Sequence, residues 1–180
     1  MRQTDKFQWA RMDSLGASMV ELPYRGGRLV MQILLPSANN GLGQLEERLR
    51  NVDLDTLFDA SRRKKEVVLQ LPKFKLEQTI DLKPHLQDLG MRDMFTVDEA
   101  DFSKVDGSNL LYVSTVLQKT FIEVDEEGSK ATAATFAQMR KKSRMPPPQE
   151  FTADHPFLFF LMDKLSGMLL FQGRVEDITV

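Results

Sequence analysis

The 180-residue chain carries 24 Lys and Arg against 26 Asp and Glu, a net charge of −2, with 42% hydrophobic and 28% charged residues. That balance fits one soluble globular domain with a sizeable core, and gives no overall pull toward nucleic acid or membrane. The absence of cysteine excludes a disulfide framework, a thiol nucleophile and a thiolate metal site, and no apolar run reaches the roughly 18 residues of a membrane span.

The start, MRQTDKFQW, lacks the apolar core of a secretory signal. Phe7 and Trp9 alternate with polar neighbours and predict a short strand. Segments 17–24 and 29–35 are strand-like and flank Arg25-Gly26-Gly27-Arg28, a glycine pair that predicts a hairpin. Pro36 closes the second strand and 37–41 is loop. Leu42, Leu45 and Leu49 then fall at helical spacing, with Glu46, Glu47 and Arg48 toward solvent. A second short helix is predicted over 54–60, capped by Asp53. Arg62-Arg63-Lys64-Lys65 reads as a solvated turn before a strand, with a heparin, nucleic-acid or targeting patch as its functional alternative. Residues 67–76 predict a strand that Pro72 bends or confines to an edge. A helix ended by Gly90 is predicted over 81–89, and 95–106 reads as loop with a short helical turn. Further strands are predicted over 113–124, 156–162 and 168–175, the last two joined by a turn at Lys164-Leu165-Ser166-Gly167. Strands mostly in hairpins, three short helices and no internal repeat predict an α+β fold with antiparallel sheets.

Motifs for catalysis are sparse. His85, after Pro84 on a predicted helix, reads as an ordinary half-buried side chain. His155 follows Asp154, and adjacent residues of a strand face opposite sides, so the two are not expected to form a catalytic pair. There is no Gly-x-Ser-x-Gly elbow, no His-Glu-x-x-His and no phosphate-cradling glycine loop. Glu126-Glu127 reads as solvated loop. The chain does not read as an enzyme, and it implies no cofactor or metal.

Segment 121–160 joins two apolar stretches through about thirty residues without hydrophobic periodicity, a length that inside compact domains is usually functional or disordered. Its order is graded: Asp125, Glu126, Glu127 and Gly128, then Ser129, Ala131, Thr132, Ala133, Ala134 and Thr135, then Arg140-Lys141-Lys142-Ser143-Arg144, then Pro146-Pro147-Pro148. Composition alone suits a flexible linker. A row of cations on an exposed loop suits a segment presented for cleavage. Gly128 is able to act as a hinge. If the segment became a strand, Ser129, Ala131, Ala133 and Thr135 would share one face and Lys130, Thr132, Ala134 and Phe136 the other. The first face is small and uncharged, so it could be buried under a sheet without stranding a charge.

EEGSKATAAT resembles the hinge of the reactive-centre loop of inhibitory serpins, and FTADHPFLFFL the family signature that follows that loop. VVLQLPKFKLE, LKPHLQDLGM and ADFSKV resemble further serpin segments in the family's order. The match covers nearly the whole chain, which is identified as resembling the C-terminal half of a serpin.

The resemblance implies a serpin-like α+β fold of mostly antiparallel sheets and a few short helices. It implies a suicide-substrate inhibitor of serine proteases, sometimes of cysteine proteases. The protease attacks the loop and forms an acyl-enzyme, and the cleaved loop inserts into the central sheet and distorts the enzyme. The family's spacing from Gly128 puts the scissile bond at Lys142-Ser143, with Arg140, Lys141 and Arg144 as alternatives and Glu126, Glu127, Gly128, Ser129, Ala131, Ala133 and Thr135 in the hinge. A basic residue before the cut suits a trypsin-like pocket with an acidic base. A proprotein-convertase-type target and glycosaminoglycan binding are the alternatives. In VSTVLQKTFIEV, Gln118 stands at the shutter position where serpins usually carry histidine; glutamine still donates and accepts hydrogen bonds. Serpins are about twice this length, so residues 1–180 are expected to be the C-terminal part of a single serpin domain. Its reactive-centre loop spans about 128–150 and its N-terminal half is absent. The alternative is a non-inhibitory truncated fragment acting as an interaction or glycosaminoglycan-binding protein. The expected partner is a trypsin-like serine protease in covalent complex, with no nucleic acid and no membrane. The family implies an extracellular site of action, with an intracellular serpin as the alternative; no Asn-x-Ser/Thr sequon is present.

Overall fold

The computed structural model describes residues 1–53, 57, 63–108, 110–124 and 147–177. Its strands are β1 Arg2–Met12, β2 Ala17–Pro23, β3 Leu29–Pro36, β4 Lys64–Gln70, β5 Phe74–Asp81, β6 Leu117–Val124, β7 Gln149–Thr152, β8 Phe157–Asp163 and β9 Met168–Val175. The longer helices are α1 Leu42–Leu49 and α2 Lys83–Asp88. The chain divides into two compact units, Met1–Phe74 with Val124–Val180, and Lys75–Glu123.

In the first unit a seven-stranded sheet runs in the order β7-β4-β1-β2-β3-β8-β9. The β2–β3 hairpin closes where the two glycines predict it. Gly26 and Gly27 have φ of 87° and 70°, a conformation that side chains resist, and the Gly27 N–H donates to the Tyr24 carbonyl at 2.9 Å. β8 pairs with β3 on one edge and β9 on the other. Its alternate residues serve two cores. Leu158 and Phe160 join Met19, Leu34, Leu45 and Leu57 beneath α1. Phe157 and Phe159 face the other way, with their ring centroids 5.7 and 5.8 Å from that of Phe74. Burial on both faces explains why this strand reads as an unbroken apolar run rather than an alternating one.

Several elements differ from the sequence expectation. The strand at Phe7 and Trp9 extends to eleven residues because β1 pairs with β2 along one part and β4 along another. The predicted strand 67–76 is two strands, β4 and β5, which lie in different sheets. Pro72 sits between them, where its missing N–H and fixed φ end the ladder. β7 falls where the sequence reads as loop, and it pairs parallel with β4, so the large sheet is not wholly antiparallel. The predicted helix 54–60 lies outside the described residues apart from Leu57, which is helical, buried, and donates its N–H to the Asp53 carbonyl at 3.0 Å.

The second unit contains α2, a 3-10 turn at Asp93–Phe95, a single helical turn at Ser103–Asp106, and the two-stranded sheet β5–β6. Helix α2 begins two residues later than expected, since Asp81 still belongs to β5. The Asp81 carboxylate accepts the Lys83 N–H at 3.0 Å. Residues 113–116 precede β6 instead of extending it. Their backbone is engaged elsewhere: the Val113 N–H donates to the Met94 carbonyl at 2.8 Å, and the Val116 carbonyl accepts from Leu82 N–H at 2.7 Å.

Candidate functional site

The loop that the sequence singles out is entered through β6 and left through β7. Residues 125–146 lie outside the described residues. That stretch includes the hinge positions Glu126, Glu127, Gly128, Ser129, Ala131, Ala133 and Thr135, and the cleavage candidates Arg140, Lys141, Lys142, Ser143 and Arg144. What the structure supplies is the frame on either side.

Upstream, β6 pairs with β5, and among the described residues its other edge has no neighbour. Gln118, Thr120, Ile122 and Val124 share one face by strand alternation, with Gln118 exposed and the other three half-buried. On the opposite face Phe121 is 55% exposed and lies under the Lys75 ammonium, 5.1 Å from its ring centroid. The ammonium also meets the Glu77 carboxylate at 2.8 Å, a hydrogen bond that raises the Lys75 pKa.

Downstream, β7 is an edge strand of the seven-stranded sheet. β7 pairs residue for residue with β4, Val67 opposite Gln149 through Gln70 opposite Thr152, and Phe151 is buried. The Ala153 N–H continues the contact by donating to the Gln70 carbonyl at 2.9 Å. His155 corrects a sequence expectation. Asp154 and His155 lie between strands, not within one, and His155 Nδ1 meets Asp154 Oδ1 at 2.7 Å. Its Nε2 donates to the Pro36 carbonyl at 2.7 Å, so both ring nitrogens are used. The pair therefore ties the end of β3 to the start of β8 and offers no free base for catalysis. His85, expected half-buried, is exposed on α2.

Beyond the loop, β8 and β9 meet at a charged corner. Arg28 donates to Asp163 Oδ2 from Nε at 3.0 Å and from Nη2 at 2.7 Å. That hydrogen bonding brings the Asp163 pKa from 3.8 to about 2, helped by the Leu165 N–H. Beside it, buried Glu21 receives Lys164 Nζ at 2.6 Å and Gln32 Nε2 at 3.1 Å. Gly173 on β9 makes room for a core ring: a Cβ there would lie 2.5 Å from Phe159 Cζ. Among the described residues no three His, Asp or Glu side chains gather as a metal site.

The pairing of β7 with a strand some eighty residues earlier was missed by sequence reasoning. Its only local sign is a single apolar residue, Phe151, between polar neighbours. Also missed was Lys6, which the β1–β4 register brings beside the basic run at 63–65.

A profile of the serpin (serine protease inhibitor) family matches residues 1–178. The chain is 39% identical over 185 residues to the leukocyte elastase inhibitor of Homo sapiens, covering 98% of this chain and 48% of that protein. It is 38% identical over 174 residues to intracellular coagulation inhibitor 1 of Tachypleus tridentatus, covering 96% of this chain and 41% of that one. A solved structure described as cleaved serpin 42Da superposes with a TM-score of 0.77 at 34% identity, covering all of this chain and 48% of that one. The chain thus spans about half the length of the curated relatives it matches. Those relatives bear the names of inhibitors and not of enzymes, in line with the sequence reading. Their names give the extracellular expectation no support, and one of them is called intracellular. With the family profile spanning almost every residue, the fold matching that of solved serpins and Phe151, Phe157, Phe159 and Phe160 of the signature segment 151–161 buried, the chain belongs to the serpin family.

Proposed function

We propose that this chain is the C-terminal part of a single serpin domain, residues 1–180, that inhibits trypsin-like serine proteases as a suicide substrate. The loop about 128–150 is its bait, and Lys142-Ser143 is the bond attacked. The observation that carries the reading is the serpin profile over residues 1–178, which takes in the small-residue segment 128–135 and the basic run 140–144. β6 leads into that stretch, and β7 and β8 of the seven-stranded sheet follow it. The protease serine oxygen would attack the Lys142 carbonyl carbon. The C–N bond to Ser143 breaks, Ser143 leaves as a free amine, and an ester holds the enzyme on residue 142. The released segment then adds beside β6, its face of Ser129, Ala131, Ala133 and Thr135 turned inward. Basic residues from 140 to 144 favour a pocket with an acidic base, although the human relative is named for elastase. Arg140, Lys141 and Arg144 are the alternative residues before the cut. We read the site of action as intracellular, on the printed name of the Tachypleus relative.

The test is to incubate the complete gene product with trypsin and run the mixture on a denaturing gel. The reading expects a band at the summed mass less that of the released fragment, and a released fragment that begins at Ser143. Clean cleavage without that band would contradict inhibition. A different new N-terminus within 141–145 would move the scissile bond and leave the mechanism standing.

A further inference from the structure

Arg25-Gly26-Gly27-Arg28, the tip of the β2–β3 hairpin, is a motif that the protease-directed reading leaves unused. The Tyr24 N–H donates to the Leu29 carbonyl at 2.9 Å and closes the ladder, so residues 25–28 form the tip, all four exposed. The Gly27 N–H folds back on the Tyr24 carbonyl at 2.9 Å, and Gly26, with φ of 87°, stands where a type II turn demands glycine. Arg25 occupies the first corner of that turn. A Cβ added at Gly26 or Gly27 would meet nothing within 4 Å, so the space beside both is open. The two arginines differ. Arg28 holds Asp163 Oδ2 through Nε at 3.0 Å and Nη2 at 2.7 Å, whereas the Arg25 side chain makes no hydrogen bond, ion pair or ring contact among the described residues. Arg2 and Arg63 are also free of such contacts, but Arg2 lies within the β1–β4 ladder and the Arg63 carbonyl accepts from the Trp9 N–H. Among the described residues Arg25 alone joins a free guanidinium to a glycine-flanked tip.

We propose that Arg25 is a methylation site, the substrate of a protein arginine methyltransferase that draws its methyl group from S-adenosylmethionine. The proposal is independent of the protease-directed reading. An Nη nitrogen of Arg25 attacks the methyl carbon of the sulfonium. The C–N bond forms as the C–S bond breaks, sulfur keeps the electron pair as a neutral thioether, and the guanidinium passes one proton to a base on the enzyme. The arginine keeps its positive charge and gives up an N–H donor. Three features favour this chemistry. The guanidinium must enter an enclosed site beside the methyl donor, and Arg25 breaks no contact in doing so. The two glycines that follow it present no side chain to the rim of that site, which lets the backbone come close. The turn itself favours a transferase over a protease. A protease binds its substrate extended on both sides of the bond it cuts, and here the hydrogen bonds of Tyr24 hold the chain folded back. Because the Arg25 side chain supports nothing in the fold, the modification leaves the hairpin intact and alters only what the tip can bind.

The test incubates the folded, complete gene product with a protein arginine methyltransferase and S-adenosylmethionine carrying a labelled methyl group. Labelled residues are mapped by peptide mass spectrometry, and a short Arg-Gly-Gly peptide in a parallel reaction shows that the enzyme is active. The label is expected on Arg25, at least about fivefold above Arg28, whose guanidinium must first leave Asp163. Arg25→Lys, which keeps the charge and the turn, should lose the label at the tip. Asp163→Asn, which releases Arg28, should raise labelling at Arg28 and leave that at Arg25 unchanged. A folded protein that takes no label while the peptide is methylated would overturn the proposal. So would label on Arg25 that appears only after denaturation, because the folded tip would then not be what the enzyme reads. Label confined to arginines outside the hairpin, such as Arg140 or Arg144, would overturn it as well and leave the inhibitor reading untouched.

Discussion

Downstream of the loop, β8 pairs on both edges and buries Phe157 and Phe159 to 1% exposure or less. Upstream, β6 pairs on one edge among the described residues, and its apolar side chains stay in view, Leu117 at 59% and Phe121 at 55%. Between β6 and β8 lie the loop and the edge strand β7, so the doubly paired, buried strand is the second one after the loop. Under the proposed mechanism the segment before the cut would add beside β6 while β8 stays in place.

The comparison is broken most severely through Phe159. Truncation to alanine in the β8 core should cost about 3–5 kcal/mol in urea unfolding, because a buried ring packed on Phe74 is replaced by a cavity. The same truncation of exposed Phe121 should stay within about 0.5 kcal/mol. Equal costs would erase the distinction between the strands.

A smaller effect is expected at Gly173. An alanine methyl there runs into the Phe159 ring and should cost about 1–3 kcal/mol through overpacking. Gly43 on α1 is the control, since a methyl added there would meet nothing within 4 Å: Gly43→Ala should be neutral or stabilising.

The smallest effect is electrostatic and depends on pH. Asp163, held near 2 by Arg28 against a usual 3.8, contributes stability that is fully present above the higher value and lost as pH falls toward the lower one. The Tm gap between the wild type and Asp163→Asn should therefore narrow between pH 5 and pH 2. A gap that is constant over that range would remove the Arg28 pair from the account.

What could be read from the residues was local. Gly26-Gly27 marks its hairpin because two positive φ angles demand glycine, and Leu42, Leu45 and Leu49 mark α1 through helical spacing. Pro72 was visible as a disruption, but whether it bends one strand or separates two depends on the sheets that receive the pieces. β7 is four residues long, and its partner is β4, so its pairing is decided by tertiary contact and not by pattern. The Asp154–His155 contact was hidden for a related reason. Strand alternation forbids it, and only the course of the chain between β7 and β8 shows that alternation does not apply there. In the functional region the motif reading supplied the proposed loop residues, while the structure supplied the strands on either side of them.

The most direct measurement is hydrogen exchange on the complete gene product before and after cleavage in the loop, followed at the amides of Leu117–Val124 and Phe157–Asp163. Addition of the cut segment beside β6 predicts that amides on the edge of β6 away from β5 gain protection while those of β8 do not change. Unchanged exchange in β6, or a loss of protection in β8, would contradict the assignment of the two flanks.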